Sequence, residues 1–421
     1  MPLVKFLLSL LTTIVLVWAL GRPYHVGEVA RIEVSESGDT TYLPNTERMI
    51  PPLGKLLSPS HGFWQNAEGA HPDLATSLTH SYLSAPVEIQ YDDRMVPHIF
   101  ASNTKDALFA QGYATAALRL WQMEFQTHGA AGRLAEILGT TERLRGILVE
   151  LDRNMRRLGL SQAAQRSVEH WAKTPEQYQA MSDYTAGVNA YIESLSYHEL
   201  PLFYKLQDYR PEKWSPLKTA LLLKYMGYML TNKEYDFEQT AALKELGLTG
   251  FQRLYPEYFD QQSPIILDTM DYASTGIDTV PAQPLQFYMG EMGWDSLTRA
   301  VSPKGIGSNN WAVAGRKTAS GHPILCNDPH LKLNLPSIWF EIQINTPDFN
   351  VYGATLPGAP AVISGFNEYI AWGITNVSHD VKDWYAIQWK DDSKQEYWFD
   401  STYRKADYRI ETIVVRDAPP D

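Results

Sequence analysis

The chain has 421 residues, 44% apolar and 12% aromatic with only 20% charged, which excludes general disorder and supplies about three domains or one large core. Thirty-six basic against 48 acidic residues leave a formal charge of −12, and the absence of any basic block argues against nucleic acid as a partner. Cys326 is the single cysteine, so an internal disulfide, a thiolate-rich zinc site and an Fe–S cluster are all ruled out.

Lys5 followed by the apolar run Phe6–Leu20 reads as a secretory leader over residues 1–21, with Ala19 and Gly21 suiting a cleavage site. Left uncut, residues 6–20 would serve as a membrane anchor. Either way the expectation is a periplasmic or extracellular protein. Residues 22–84 are rich in Pro, Ser, His and Gly and read as a loop-rich segment. A strand follows at 86–91. Asn103 then suits a helix N-cap, with Phe109, Tyr113, Ala116, Leu120 and Met123 on one helical face. Two further helices are expected before residue 200. Ser215-Pro216 opens another, and a stretch around Phe237–Leu246 stops at Gly247.

Residues 22–261 are therefore expected to be mainly helical, and 262–307, which lose all periodicity, to be a spacer. From Ser308 the pattern turns to alternation. SNNWAVAG and PILCN flank a turn and predict a hairpin, and SIWFEIQIN is a cleaner strand. Further strands are expected at 369–375, 384–389 and 408–415. Helices first and strands afterwards point to an α+β fold rather than alternating βαβ units.

The stretch Gly307-Ser308-Asn309-Asn310-Trp311 lies where spacer meets strand. A serine needs a base to become a nucleophile, and no glycine-flanked elbow is present here. If the chain is cut before Ser308, the new α-amine supplies that base, since its pKa of about 8 leaves an appreciable neutral fraction at neutral pH. Gly307 suits such a cut, because glycine tolerates the backbone that attack on its carbonyl requires.

The segment GSNNWAVAGRKTASGHPILCNDPHL resembles the nucleophile region of the penicillin acylase family of N-terminal-nucleophile amidohydrolases. Val96–Gly139 resembles an early block of the same family, and Ala371–Asp383 the block bearing its oxyanion and calcium residues. The resemblance implies an αββα four-layer sandwich, truncated here at its C-terminus, with residues 308–421 as the start of the sheet domain. It implies Ser308 as nucleophile, freed by autocatalytic cleavage after Gly307 that leaves a heterodimer of two chains. It places an oxyanion-binding backbone N–H at Asn376 and a site role at His330. Asp380, the Lys382 carbonyl and Asp383 match its calcium loop, with Glu238 or Glu234 as the distant glutamate. Leu331 and Ile374 fall where the family lines its acyl pocket.

Leu118 departs from the family, where an acidic residue commonly precedes the arginine matched by Arg119, so a local ion pair is expected to be missing. The family's second oxyanion donor, an asparagine, lies beyond Asp421, and a fragment of a longer precursor is the expectation. The implied reaction is hydrolysis of a linear small-molecule amide, of penicillin, cephalosporin or acyl-homoserine lactone type, through an acyl-enzyme. The resemblance also implies one structural calcium ion and no organic cofactor. Two rival readings remain. One is an inactive extracytoplasmic relative that binds amides, and the other a serine hydrolase with a Ser-His-Asp triad.

Overall fold

Leucine-rich sequence with no interior glycine or proline coils into a first helix whose side chains stand exposed from Val4 to Trp18. The computed structural model describes residues 2–20, 24–34, 40–50, 57, 62, 66, 75–139, 145–207, 209–231, 236–256, 307–331, 333–376 and 385–416. In chain order its elements begin with α1 (Pro2–Leu20), β1 (Tyr24–Val34), β2 (Thr40–Ile50), β3 (Ala75–Leu78), β4 (Val87–Tyr91) and β5 (Pro97–Phe100). Helices follow: α2 (Thr104–Ala131), α3 (Leu134–Leu138), α4 (Arg145–Leu158), α5 (Leu160–Trp171), α6 (Pro175–Ser194), α7 (Leu202–Leu206), α8 (Pro216–Leu230) and α9 (Asp236–Leu254). The last part holds β6 (Gly307–Val313), β7 (Ile324–His330), β8 (Phe340–Asn345), β9 (Asn350–Thr355) and β10 (Ser364–Phe366). It ends with β11 (Ala371–Trp372), β12 (Glu396–Phe399), β13 (Thr402–Lys405) and β14 (Glu411–Val415). None of the described helices is long and apolar enough to cross a membrane.

The chain divides into two compact units. One comprises Met1–Tyr228, Ile306–Asn376 and Asp407–Asp421, the other Met229–Gly305 and Val377–Ala406. The first is built on a seven-stranded sheet of order β11-β10-β9-β8-β5-β4-β3. Its neighbours run antiparallel except β5 and β8, which pair in parallel with His98 opposite Gln343. The architecture is α+β, as expected, but strands from both ends of the sequence share one sheet. The expected separation into a helical part and a sheet part is corrected accordingly.

Residues 22–84 also depart from the loop-rich reading. β1 and β2 form a hairpin, and β1 pairs on its other edge with β14, Ala30 opposite Val415. That partner comes from the far end of the chain and left no local signal.

β8 shows the expected alternation, with Phe340, Ile342 and Ile344 buried, although it starts at Phe340 rather than Ser337. Together with Val87, Ile89 and Ile99 they pack on Ala107, Phe109, Ala110 and Ala114 of α2. Full burial of side chains of this size stabilises by about 1.5–3 kcal/mol each, so this seam anchors the unit. The Asn103 side chain caps α2 by accepting from the Asp106 N–H at 2.9 Å. The fully buried Asp106 carboxylate in turn accepts from the Ser84 and Ala85 N–H groups at 3.0–3.2 Å. Across α2 lies α6, crossing so closely that a Cβ on Gly112 would fall 2.1 Å from the Tyr184 carbonyl oxygen.

Among the described residues four α-helices, α3 to α6, stand between α2 and residue 200 where two were expected. α8 opens at Pro216 as read. The stop at Gly247 is a break inside α9, where Gly247 takes φ +65° and helix resumes to Leu254. Of the later strands, 369–375 shrinks to β11, 408–415 to β14, and the described part of 384–389 carries only a Trp389–Tyr397 bridge. The second unit holds α9 and the β12–β13 hairpin, in which the Arg404 guanidinium lies 4.3 Å from the Phe399 ring centre.

Candidate active site

β6 and β7 form an antiparallel hairpin joined by a loop that holds a short 3-10 helix (Gly315–Lys317), with Gly307 opposite His330, Ser308 opposite Pro329 and Asn310 opposite Asn327. Residues directly opposite in an antiparallel pair point to the same face. Ser308, Asn310, Asn327 and Pro329 therefore share one face, and Gly307, Asp328 and His330 the other. Ser308 Oγ donates to the Gly307 carbonyl oxygen at 2.6 Å, which holds the hydroxyl beside the peptide expected to be cut.

On the opposite face His330 Nε2 lies 2.9 Å from Asp328 Oδ2, an exposed pair. Its Nδ1 comes within 3.9 Å of where a Cβ of Gly307 would stand. The histidine is thus placed beside Gly307, while the serine side chain points the other way.

The Ser308 face of the hairpin borders a cavity of about 670 Å³. Leu325, Asn327 and Pro329 line it from β7, Trp339 and Phe340 from β8 and its approach, and Trp372 from β11. Such a wall suits an apolar group with a few polar contacts. Arg119 of α2 also lines it. Its guanidinium lies 5.6 Å from the Phe340 ring centre, and its buried Nε has no hydrogen-bond partner among the described residues. Burial lowers its pKa.

Leu331 is half-buried and donates its N–H to the Pro329 carbonyl at 2.9 Å, and Ile374 is exposed. Asn376 lies on the segment that follows β11. Two asparagines that the sequence reading did not single out tie this segment to the hairpin. Asn310 Nδ2 donates to the Gly373 carbonyl at 2.8 Å and Asn327 Nδ2 to the Ile374 carbonyl at 2.9 Å. Their only sequence signal was position, in the Ser-Asn-Asn and Asn-Asp-Pro-His stretches.

Asp380, Lys382 and Asp383 lie outside the described residues, as do Glu234, Gly21 and the spacer up to residue 306. Glu238 sits half-buried in α9. Among the described residues one other group has metal-ligand spacing: Glu124, His128 and Glu212. Cations already occupy it. Lys218 Nζ lies 3.1 Å from Glu212 and 3.5 Å from Glu124, and Arg133 pairs with Glu212 at 2.7 Å. Tyr204 OH donates to Glu124 at 2.5 Å, and the Glu212 N–H does so at 2.8 Å. This is a charge-paired polar network inside the helical layer, its two carboxylates faced by Lys218 and Arg133.

A family model described as penicillin amidase matches residues 86–421. The chain is 32% identical over 342 residues to an acyl-homoserine lactone acylase, QuiP, of Pseudomonas aeruginosa, covering 80% of this chain and 39% of that protein. It is 32% identical over 351 residues to the penicillin acylase 2 proenzyme of Pseudomonas sp. strain SE83, covering 83% and 43%. A solved thermostable penicillin G acylase from Alcaligenes faecalis aligns at 24% identity and a TM-score of 0.36, over 45% of this chain and 98% of that one. The chain spans about two fifths of the length of the two acylases named from Pseudomonas. By the extent of the family match, it belongs to the penicillin amidase family.

Proposed function

We propose that this chain carries the nucleophile of an acyl-amide hydrolase, released when the protein cuts itself between Gly307 and Ser308. The observation that carries the reading is the position of Ser308. It stands at the start of a hairpin strand, its Oγ 2.6 Å from the preceding carbonyl oxygen, on the face that borders an aromatic-lined cavity. Relatives named as acylases of homoserine lactones and as a penicillin acylase proenzyme support the same chemistry and the same kind of processing.

In the precursor, Ser308 Oγ attacks the Gly307 carbonyl carbon, and acyl transfer from nitrogen to oxygen followed by hydrolysis frees the α-amine. In the mature enzyme that amine, neutral in appreciable fraction at pH 7, accepts the hydroxyl proton as Oγ attacks the substrate amide. The Asn376 backbone N–H stabilises the oxyanion, a contribution typically worth a few kcal/mol of barrier. The proton passes to the leaving amine, and water then releases the acid from the acyl-enzyme. The substrate is a small N-acyl compound with an apolar acyl group, as in penicillins, cephalosporins or acyl-homoserine lactones. Leu331 and Ile374 extend its pocket.

A calcium ion held by Glu238, Asp380, the Lys382 carbonyl and Asp383 belongs to this reading, since hard oxygen donors of that kind suit calcium. It would tie the two chains together and take no part in the chemistry. The same reading places the protein outside the cytoplasm.

Intact mass and N-terminal sequencing of the full-length protein from a secretion-competent host test the proposal. A fragment beginning at Ser308 in wild type and absent in Ser308→Ala is the expected result. Uncut wild type would overturn the amine-as-base mechanism and favour an amide-binding relative. Hydrolysis by uncut protein would favour a Ser-His-Asp triad.

A further inference from the structure

We infer that Asn310 and Asn327 are positioning residues that hold the Asn376 backbone N–H at the reaction centre, an inference that rests on Ser308 being the nucleophile. The two asparagines lie opposite each other across β6–β7, on the face that carries Ser308. Each sends its side-chain amide to one of two consecutive carbonyls, Gly373 at 2.8 Å and Ile374 at 2.9 Å. The segment is thus held at two adjacent points, and Asn376 follows two residues later.

Backbone fit supports the same arrangement. A Cβ on Gly373 would fall 2.5 Å from both Cβ and Cγ of Asn327, so the segment approaches the hairpin as closely as it does only because residue 373 is glycine. Among the described residues no strand ladder joins β6–β7 to the seven-stranded sheet. Side-chain bonds therefore set the register between the nucleophile strand and the chain leaving β11. The distance between a nucleophile and an oxyanion donor is where such a tie matters, since a misplacement of about 1 Å can cost roughly 100-fold in rate.

Asp in place of either asparagine keeps the volume and removes the donor. Full-length wild type, Asn310→Asp, Asn327→Asp and the double variant would be compared, with the Ala variants as a set that adds no charge. Self-cleavage is followed by mass, melting temperature by calorimetry, and kcat and KM on phenylacetyl-, hexanoyl- and octanoyl-4-nitroanilide and an N-acyl-homoserine lactone. The expected result is a fall in kcat of about tenfold for each single change and about 100-fold for both, with KM and melting temperature little moved. Variants of an active wild type that keep its kcat would overturn the clamp alone. So would variants whose kcat falls only in step with melting temperature or with a proportionate rise in KM. A wild type that is uncut, or inert on the whole panel, would overturn the underlying nucleophile reading and the clamp together.

Discussion

Gly307 and His330 lie opposite one another across β6–β7, on the face away from the Ser308 side chain. The imidazole reaches back toward the Gly307 backbone, and Asp328 fixes its Nε2 at 2.9 Å. This geometry puts the ring beside the Gly307–Ser308 peptide proposed for cleavage, on the face away from the serine hydroxyl. His330→Ala is therefore expected to slow cleavage after Gly307 by about tenfold or more, within the range of a lost acid–base or orienting group. Asp328→Asn should act in the same direction more weakly. A mass time course from freshly expressed precursor reads both. Equal processing rates in wild type and His330→Ala would show that the ring plays no part.

Gly112 on α2 and Gly187 on α6 let the two helices touch backbone to backbone. A Cβ on Gly187 would lie 1.8 Å from the Phe109 carbonyl oxygen, and one on Gly112 2.1 Å from that of Tyr184. Neither obstacle is a flexible side chain that could swing away. Either Gly→Ala change must push α6 off α2 and loosen Tyr184 and Val188, both fully buried. Overpacking of this kind costs about 1–3 kcal/mol, and the double change more. Thermal unfolding should show a lowered midpoint for each variant. An unchanged midpoint would mean that the helices do not cross as closely as described.

Local rules made part of this molecule legible. The Asn103 cap, the proline opening α8 and the alternation of β6, β7 and β8 each depend on residues a few positions apart, and the sequence displayed them. The β1–β2 hairpin did not show, because it gains a partner in β14 from the other end of the chain. The sheet that mixes early and late strands was hidden for the same reason. At the candidate site, Ser308 and Gly307 stood out through their motif. Asn310 and Asn327 did not, since their partners are backbone carbonyls about 50–60 positions away, and a carbonyl carries no residue identity. The network of Glu124, Glu212 and Lys218 was equally silent, its members scattered over three segments.

Asp152 caps α3 from a distance. Its fully buried carboxylate accepts from the Leu134 N–H at 2.9 Å and the Ala135 N–H at 2.8 Å. Burial raises its pKa, and those two donors oppose the rise. Asp152→Ala would leave both N–H groups buried without acceptors, each at about 1–3 kcal/mol. The expected loss is about 2–4 kcal/mol, measured by denaturant unfolding. Asp152→Asn keeps one acceptor and should lose less. A loss of under about 0.5 kcal/mol in the alanine variant would show that water reaches the start of α3.

Glu212 gives the helical layer a stability that depends on pH. His128 beside it lowers its pKa most, burial opposes this, and Arg133 and Lys218 lower it further, so the carboxyl lies well below its ordinary 4.5. A lowered folded-state value means that the unfolded chain binds the proton first as pH falls. The contribution is complete above about pH 4.5 and declines as pH falls from there toward the folded-state value. Glu212→Gln keeps the shape and removes the charge, while Arg133 retains Glu136 and Lys218 retains Glu124. The variant should melt below wild type at pH 7, and the gap should narrow steadily between pH 5 and pH 3. Asp152, with its raised pKa, titrates in the opposite sense in both proteins and so cancels from the comparison. A gap that stays constant across that range would show that Glu212 acts through packing alone, with its charge already screened by solvent.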